Sequence, residues 1–200
     1  MGGNKQTQLL LALLIGYSLG SIPFGLILTR LAGKGDIRNV GSGNIGATNV
    51  LRTGNRWLAA ATLILDALKA TAAVLIARAL WPGSETFAAA GALIGHLYPV
   101  WLRFKGGKGV ATYLGLLIPL LWPAAVIYAL VWLAALFLVR ISSVGGMLAA
   151  ISAPIAAAAL GHKSLFPMLL GFTLLVLWRH HENLVRLRAG TEPRIGRNRG

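Results

Sequence analysis

Residues 57–81 read WLAAATLILDALKATAAVLIARALW. As a helix this run is about 37 Å long, against a hydrocarbon core of about 30 Å. Tryptophan stands at both ends, Trp57 and Trp81, as aromatic residues do at a membrane–water boundary. Asp66 and Lys69 interrupt the apolar middle. Three residues apart, they share a helix face and can pair. Ionisable groups at membrane depth are costly and point to function; a pair that braces a helix bundle is the equally good reading. The stretch reads as a membrane span, and the rest of the chain agrees. Of 200 residues, 56% are hydrophobic and 12% charged, an apolar excess too large for a soluble domain of this size.

Seven such segments are expected, near 9–31, 57–81, 86–101, 110–121, 122–139, 144–160 and 165–178. The fourth is short and reads as a broken or tilted element. Lys5 and the apolar run from Leu9 to Ile15 fit a secretory leader loosely, but no soluble protein follows, so the first helix is expected to be retained. The connections alternate in charge: Arg30, Lys34, Arg38, Arg52 and Arg56 in one, none in 82–85, then Arg103, Lys105 and Lys108. The turn at Pro119–Pro123 has none, Arg140 and Lys163 mark the next two, and Arg179, Arg186, Arg188, Arg194, Arg197 and Arg199 crowd the end. By the positive-inside rule the N-terminus lies outside and the C-terminus in the cytoplasm, which needs an odd number of spans. The expected fold is therefore all-α, a polytopic integral membrane protein of seven transmembrane helices. It forms one domain over 1–200 with a basic tail from about 188. Dense small residues in the spans predict close helix packing.

The formal net charge is +14 and there is no cysteine. Disulfides, thiolate metal sites and a cysteine nucleophile are excluded. The positive charge lies in loops and tail. It suits anionic lipid headgroups or anionic substrates; nucleic acid is not expected, because no reading module accompanies it. Paired carboxylates and metal-ligand spacings are also missing, so neither metal nor cofactor is expected.

Three polar stretches could carry chemistry. Residues 36–55, DIRNVGSGNIGATNVLRTGN, hold four asparagines among glycines, with Ser42, Thr48, Arg38 and Arg52. This is either a solvated turn-rich loop or an anion nest, in which glycine lets backbone N–H groups converge while Arg and Ser complete the site. Residues 104–112, FKGGKGVAT, lack the Walker spacing and an acidic partner for magnesium, so a nucleotide loop is not expected. The glycines suit a tight turn opening a helix at Val110, where an anion would be favoured; the alternative is a short basic loop that holds topology. Residues 179–192, RHHENLVRLRAGTE, place His180 and Asn183 on one face if helical, with Arg186 and Leu187 continuing it. Otherwise they form a basic helix facing lipid headgroups. His96, in GHLYPVW, closes the third span and reads as structural or supporting.

GSGNIGATN (41–49), KGGKGVAT (105–112) and RHHENLVRL (179–187), in this order, resemble the motifs of the acyl-phosphate-dependent glycerol-3-phosphate acyltransferases, the PlsY family. LGSIPFG (19–25), LDALKA (65–70) and GHLYPV (95–100) look like its further signatures. The resemblance runs from about residue 19 to Glu192. It implies a seven-helix enzyme of phospholipid synthesis in the bacterial inner membrane, with its site facing the cytoplasm. Its substrates would be acyl phosphate and glycerol 3-phosphate, with membrane lipid around it. The residues it implies as catalytic are Ser42, Lys108, His180 and Asn183. Arg52, Gly41, Gly43, Asn44 and Asn49 would bind substrate, as would Lys105, Gly106, Gly107 and Gly109. Glu192 and the Asp66–Lys69 pair would support them. The reading from another class is a transporter of a small phosphorylated anion, since glycine-rich breaks at membrane depth also suit transport.

Overall fold

The structure is a computed structural model and describes residues 4–195; Arg197 and Arg199 of the basic tail lie outside the described residues. All regular structure among them is helical. The chain packs as two compact units, Met1–Leu120 and Leu121–Gly200.

The first unit begins with α1 (Lys5–Gly20), capped by the Asn4 side chain, and α2 (Phe24–Leu31). The sequence predicts one helix over 9–31; the chain breaks instead at 21–23. Pro23 is the cause. It has no N–H to donate, and its ring clashes with the preceding turn. A short α3 (Ala47–Leu51) lies inside the polar loop. Asn55 caps α4 (Arg56–Leu80) through the N–H groups of Trp57 and Leu58. Next come α5 (Glu85–Leu97) and α6 (Val110–Leu120). α5 stops two residues before Pro99, earlier than the expected 86–101 span.

The contacts that hold this unit are small-residue contacts. α1 packs on α5 along Gly16 and Gly20, where any side chain would run into the backbone of Ala88 and Ala92. From the other side, Gly91 and Gly95 lie against the backbone of Leu13 and Tyr17. Gly115 of α6 meets Ala67 of α4 in the same way. With lipid outside there is little hydrophobic drive between helices, so close backbone approach and dispersion take its place. Large apolar residues point outward instead: Leu31, Trp57, Leu68 and Leu80 are all more than half exposed.

The second unit comprises α7 (Trp122–Val139), α8 (Ser142–Ala159), α9 (Phe166–Arg179) and α10 (His181–Arg188). Here too alanine and glycine fill α8's buried face, while Phe137, Leu138 and Trp178 are exposed. The chain then returns to the α7–α8 turn, where the Ile195 N–H donates to the Arg140 carbonyl at 2.7 Å. This part of the basic tail is therefore docked on protein.

Every expected apolar segment contains a helix. The stretches Lys5–Leu31, Arg56–Leu80, Trp122–Val139 and Ser142–Ala159 are long and apolar enough to cross a membrane. α5, α6 and α9 have 13, 11 and 14 residues. These give about 16–21 Å of helix, short of the core alone.

Candidate active site

The polar loop of the first unit is organised by one side chain. Asn49 sits in the first turn of α3 and is 2% exposed. Its Nδ2 donates to the carbonyls of Ile37 (3.0 Å), Val40 (2.9 Å) and Asn44 (2.8 Å). Its Oδ1 accepts from the Ser42 N–H (3.1 Å), the Ser42 hydroxyl (3.3 Å) and Arg52 Nη1 (3.2 Å). Both ends of the amide are thus engaged within the loop. Among the residues expected to touch substrate, Asn49 is placed to hold Ser42 and Arg52 together. Asn44 turns the chain in a similar local manner, accepting from the Gly46 N–H at 2.8 Å.

Three glycines of the loop have left-handed backbones, Gly41 (φ 56°), Gly43 (φ 68°) and Gly54 (φ 82°), a conformation costly for other residues. Gly41 also lies so close to Asn49 and Arg52 that a side chain there would displace both. Upstream, Asp36 accepts from Arg30 (2.8 Å) and Arg38 (2.6 Å). Hydrogen bonding from Arg38 holds its carboxyl well below the usual carboxylate range. Arg38 is thereby neutralised, whereas Arg52 is exposed beside Ser42.

The glycine loop follows different physics from a nest. Gly106 and Gly107 are buried, and their N–H groups donate to the Leu97 carbonyl (3.2 Å) and the His96 carbonyl (3.0 Å). These two amides, expected to hold phosphate, donate to the end of α5. A side chain at Gly106 would strike that backbone and Pro99; one at Gly107 would strike the His96 ring. Glycine is needed here for close approach. Of its three glycines Gly109 alone is left-handed (φ 86°); Arg103 and Phe104 at the loop's entry are left-handed too. α6 starts at the residue after Gly109, where the turn signal predicts it. Lys108, half-buried, is the cation between the two bolted glycines and the helix start. Lys105 is exposed and lines an open cleft with Arg38, Arg103, Trp101 and Leu102. Thr112, in the first turn of α6, is fully buried and its hydroxyl has no hydrogen-bond partner among the described residues.

In the second unit, His180 lies at the junction of α9 and α10. Its Nδ1 is 2.8 Å from the Val176 carbonyl. A carbonyl has no proton, so Nδ1 donates, and the neutral ring keeps its lone pair on Nε2. Asn183, in the first turn of α10, donates to Glu192 Oε1 at 2.6 Å. Ser143, at the start of α8, donates to the same oxygen at 2.7 Å, and Arg186 Nε to Oε2 at 2.7 Å. Burial pushes the Glu192 carboxyl up, but the hydrogen bonds from Ser143, Asn183 and Arg186 outweigh it. The net effect holds the group below its ordinary value. This carboxylate fixes the amide of Asn183. Ser143 belongs to none of the recognisable motifs; a serine at a helix start, SSVGG, reads in sequence as an ordinary helix opening.

A sequence model of the family described as glycerol-3-phosphate acyltransferase matches residues 10–190. The glycerol-3-phosphate acyltransferase of Mesorhizobium japonicum is 58% identical over 188 residues, covering 94% of this chain and 96% of that one. That of Brucella anthropi is 56% identical over 194 residues, covering 97% and 96%. The crystal structure of PlsY (YgiH), an integral membrane glycerol 3-phosphate acyltransferase, superposes in its glycerol 3-phosphate form with a TM-score of 0.87. Identity is 37%, and 97% of this chain and 96% of that chain are covered. Its lysophosphatidic acid form gives 0.86 at 36% identity, with 94% and 95% covered. The match spans every motif described above, and the chain belongs to the glycerol-3-phosphate acyltransferase family.

Proposed function

We propose that this protein transfers a fatty acyl group from acyl phosphate to the sn-1 hydroxyl of glycerol 3-phosphate. The products are 1-acyl-glycerol 3-phosphate and inorganic phosphate. The observation that carries the reading is the joint hold of Asn49 on Ser42 and Arg52. It sets a hydroxyl and a bidentate-capable guanidinium side by side, a pairing suited to a phosphate monoester. The solved relative's glycerol 3-phosphate and lysophosphatidic acid forms name a matching substrate and product for that protein.

In this reaction the sn-1 oxygen attacks the acyl carbonyl carbon, the acyl C–O bond to phosphate breaks, and phosphate leaves. The hydroxyl proton passes to a phosphate oxygen, and because the substrate oxygen attacks the donor directly, no acyl-enzyme forms. Lys108 neutralises the phosphate of the donor, and Asn183, its amide held by Glu192, donates to charge developing at the reacting centre. His180 presents Nε2 as the basic nitrogen to a substrate hydroxyl or phosphate. An acyl phosphate is intrinsically activated, so positioning supplies much of the acceleration. Seven helices would cross the bacterial inner membrane, N-terminus outside, with the acyl chain among them and the phosphates on the cytoplasmic side.

The test is direct. Purified protein is supplied with glycerol 3-phosphate and a long-chain acyl phosphate, and lysophosphatidate and free phosphate are measured. Acyl-CoA and acylated acyl carrier protein replace the donor in parallel. Turnover is expected with acyl phosphate alone; folded protein that makes no lysophosphatidate from it refutes the reading.

A further inference from the structure

The buried charge of the first unit does more than brace helices. Lys69 Nζ, deep in α4, lies 2.7 Å from Asp66 Oδ1, 2.7 Å from the Ile22 carbonyl and 3.0 Å from His96 Nδ1. The Phe24 ring covers it at 5.9 Å. Ile22 belongs to the break that Pro23 opens between α1 and α2. His96 is in the last turn of α5. One ammonium therefore ties together the broken helix, its own helix and the end of α5.

An ammonium has three N–H groups and no lone pair. It can therefore only donate, and across 3.0 Å His96 Nδ1 is the acceptor. The neutral ring must then carry its proton on Nε2. That nitrogen is the atom closest to where a side chain on Gly107 would stand. The backbone of the same residue, His96, accepts from the Gly107 N–H. His96 thus meets the glycine loop twice, its carbonyl accepting from the Gly107 N–H and its ring standing where a Gly107 side chain would go, immediately before Lys108.

We propose that His96 is a positioning residue of the acyl-transfer reaction: Lys69, balanced by Asp66, fixes its Nε2–H tautomer, and the ring so oriented sets the placement of Gly107 and Lys108. An apolar bolt would hold these helices together at least as well, since a buried ion pair adds little net stability. A defined ring orientation and proton position are what the charged cluster adds. The proposal rests on the reading that Lys108 binds a substrate phosphate, and the wild-type assay above tests that reading separately.

The experiment has two arms. In the first, His96→Asn keeps a carboxamide oxygen for Lys69 and removes Nε2–H. With active protein that retains its unfolding midpoint, kcat/KM with acyl phosphate is expected to fall on the order of 100-fold, the scale of a small misplacement of a binding group. A merely structural role would lower the unfolding midpoint and leave kcat and KM of the folded fraction unchanged. In the second, nitrogen-15 NMR of histidine-labelled wild-type protein at neutral pH reads the tautomer, with His96→Asn or His96→Gln assigning the signal. A neutral Nε2–H ring that is lost in the Asp66→Asn, Lys69→Met double variant supports the proposal. An Nδ1–H or doubly protonated ring in the wild type overturns it, as do wild-type kcat and KM in folded His96→Asn. If the variants do not fold, the wild-type ring, assigned by selective pH and exchange behaviour among the four histidines, still decides.

Discussion

Asn49→Ala isolates what holds the polar loop. Truncation removes the donor to three backbone carbonyls, Ile37, Val40 and Asn44, and the acceptor for the Ser42 N–H. Two N–H groups serve those three carbonyls and the Ser42 N–H adds a third bond; the Ser42 hydroxyl and the exposed Arg52 guanidinium can exchange Oδ1 for water, so the net loss amounts to about three hydrogen bonds. At about 1 kcal/mol net for each, the organised loop loses about 3 kcal/mol relative to looser arrangements. At 1.36 kcal/mol per tenfold, kcat/KM should fall on the order of 100-fold. The long helices do not depend on this amide: α4 has its own cap from Asn55, so the loss stays within the loop and α3 and the thermal midpoint should change little.

The assay is conversion of radiolabelled glycerol 3-phosphate to lysophosphatidate in detergent, with kcat and KM determined separately. Ser42→Ala is measured alone and with Asn49→Ala. If Asn49 acts by holding Ser42, the second substitution adds little to the first, because neighbours in one network are not additive. Asn49→Ala within about threefold of wild type, or full additivity with Ser42→Ala, would refute the reasoning.

The other substitutions probe different links. Lys108→Ala and Asn183→Ala should each reduce turnover on the order of 100-fold or more in folded protein; near-normal rates would remove them from the site. Gly20→Leu should prevent α1 from seating on α5, because its side chain overlaps Ala92, and folded yield in detergent should collapse. Gly171→Ala meets no atom within 4 Å and should raise stability by up to about 1 kcal/mol, helix entropy alone being at stake. Glu192 has a lowered folded-state pKa. Its contribution is present above the ordinary carboxylate value of about 4.3 and is lost as pH falls through the lower folded value. The unfolding midpoint should drop over that acidic window in wild type, and Glu192→Gln should flatten the drop.

Much of the fold was legible because membrane helices announce themselves by composition. Trp57 and Trp81 bracket a run that is α4 almost to the residue. The first segment shows the limit: hydropathy averages over Pro23, so 9–31 reads as one span where the backbone makes two helices. At the site, residue types were legible and their division of labour was not. Asn49, Gly106 and Gly107 read as anion ligands because asparagine and glycine are what such nests contain. In the structure their hydrogen bonds close the loops on themselves and on α5, which composition does not show. Ser143 was invisible, since its partner Glu192 lies 49 positions away and no local pattern links them.

The buried cluster explains why proximity in this family of contacts cannot be read one helix at a time. Asp66 and Lys69, i and i+3, are legible as a pair. His96 is 27 residues on from Lys69, and Ile22 is 47 residues before it. Lys69 reaches both only because α1 and α5 approach at Gly20 and Gly95, with no side chain between them and the opposing backbone. The Tyr17 hydroxyl, donating to the Tyr98 carbonyl at 2.9 Å, and Trp101 Nε1, donating to the Ser21 carbonyl at 2.8 Å, lock the same two ends. The small-residue seam is therefore part of the apparatus that places the glycine loop. Where an enlarged seam residue still folds, it should act on the loop through Lys69 and His96 and so lower kcat/KM without touching any substrate.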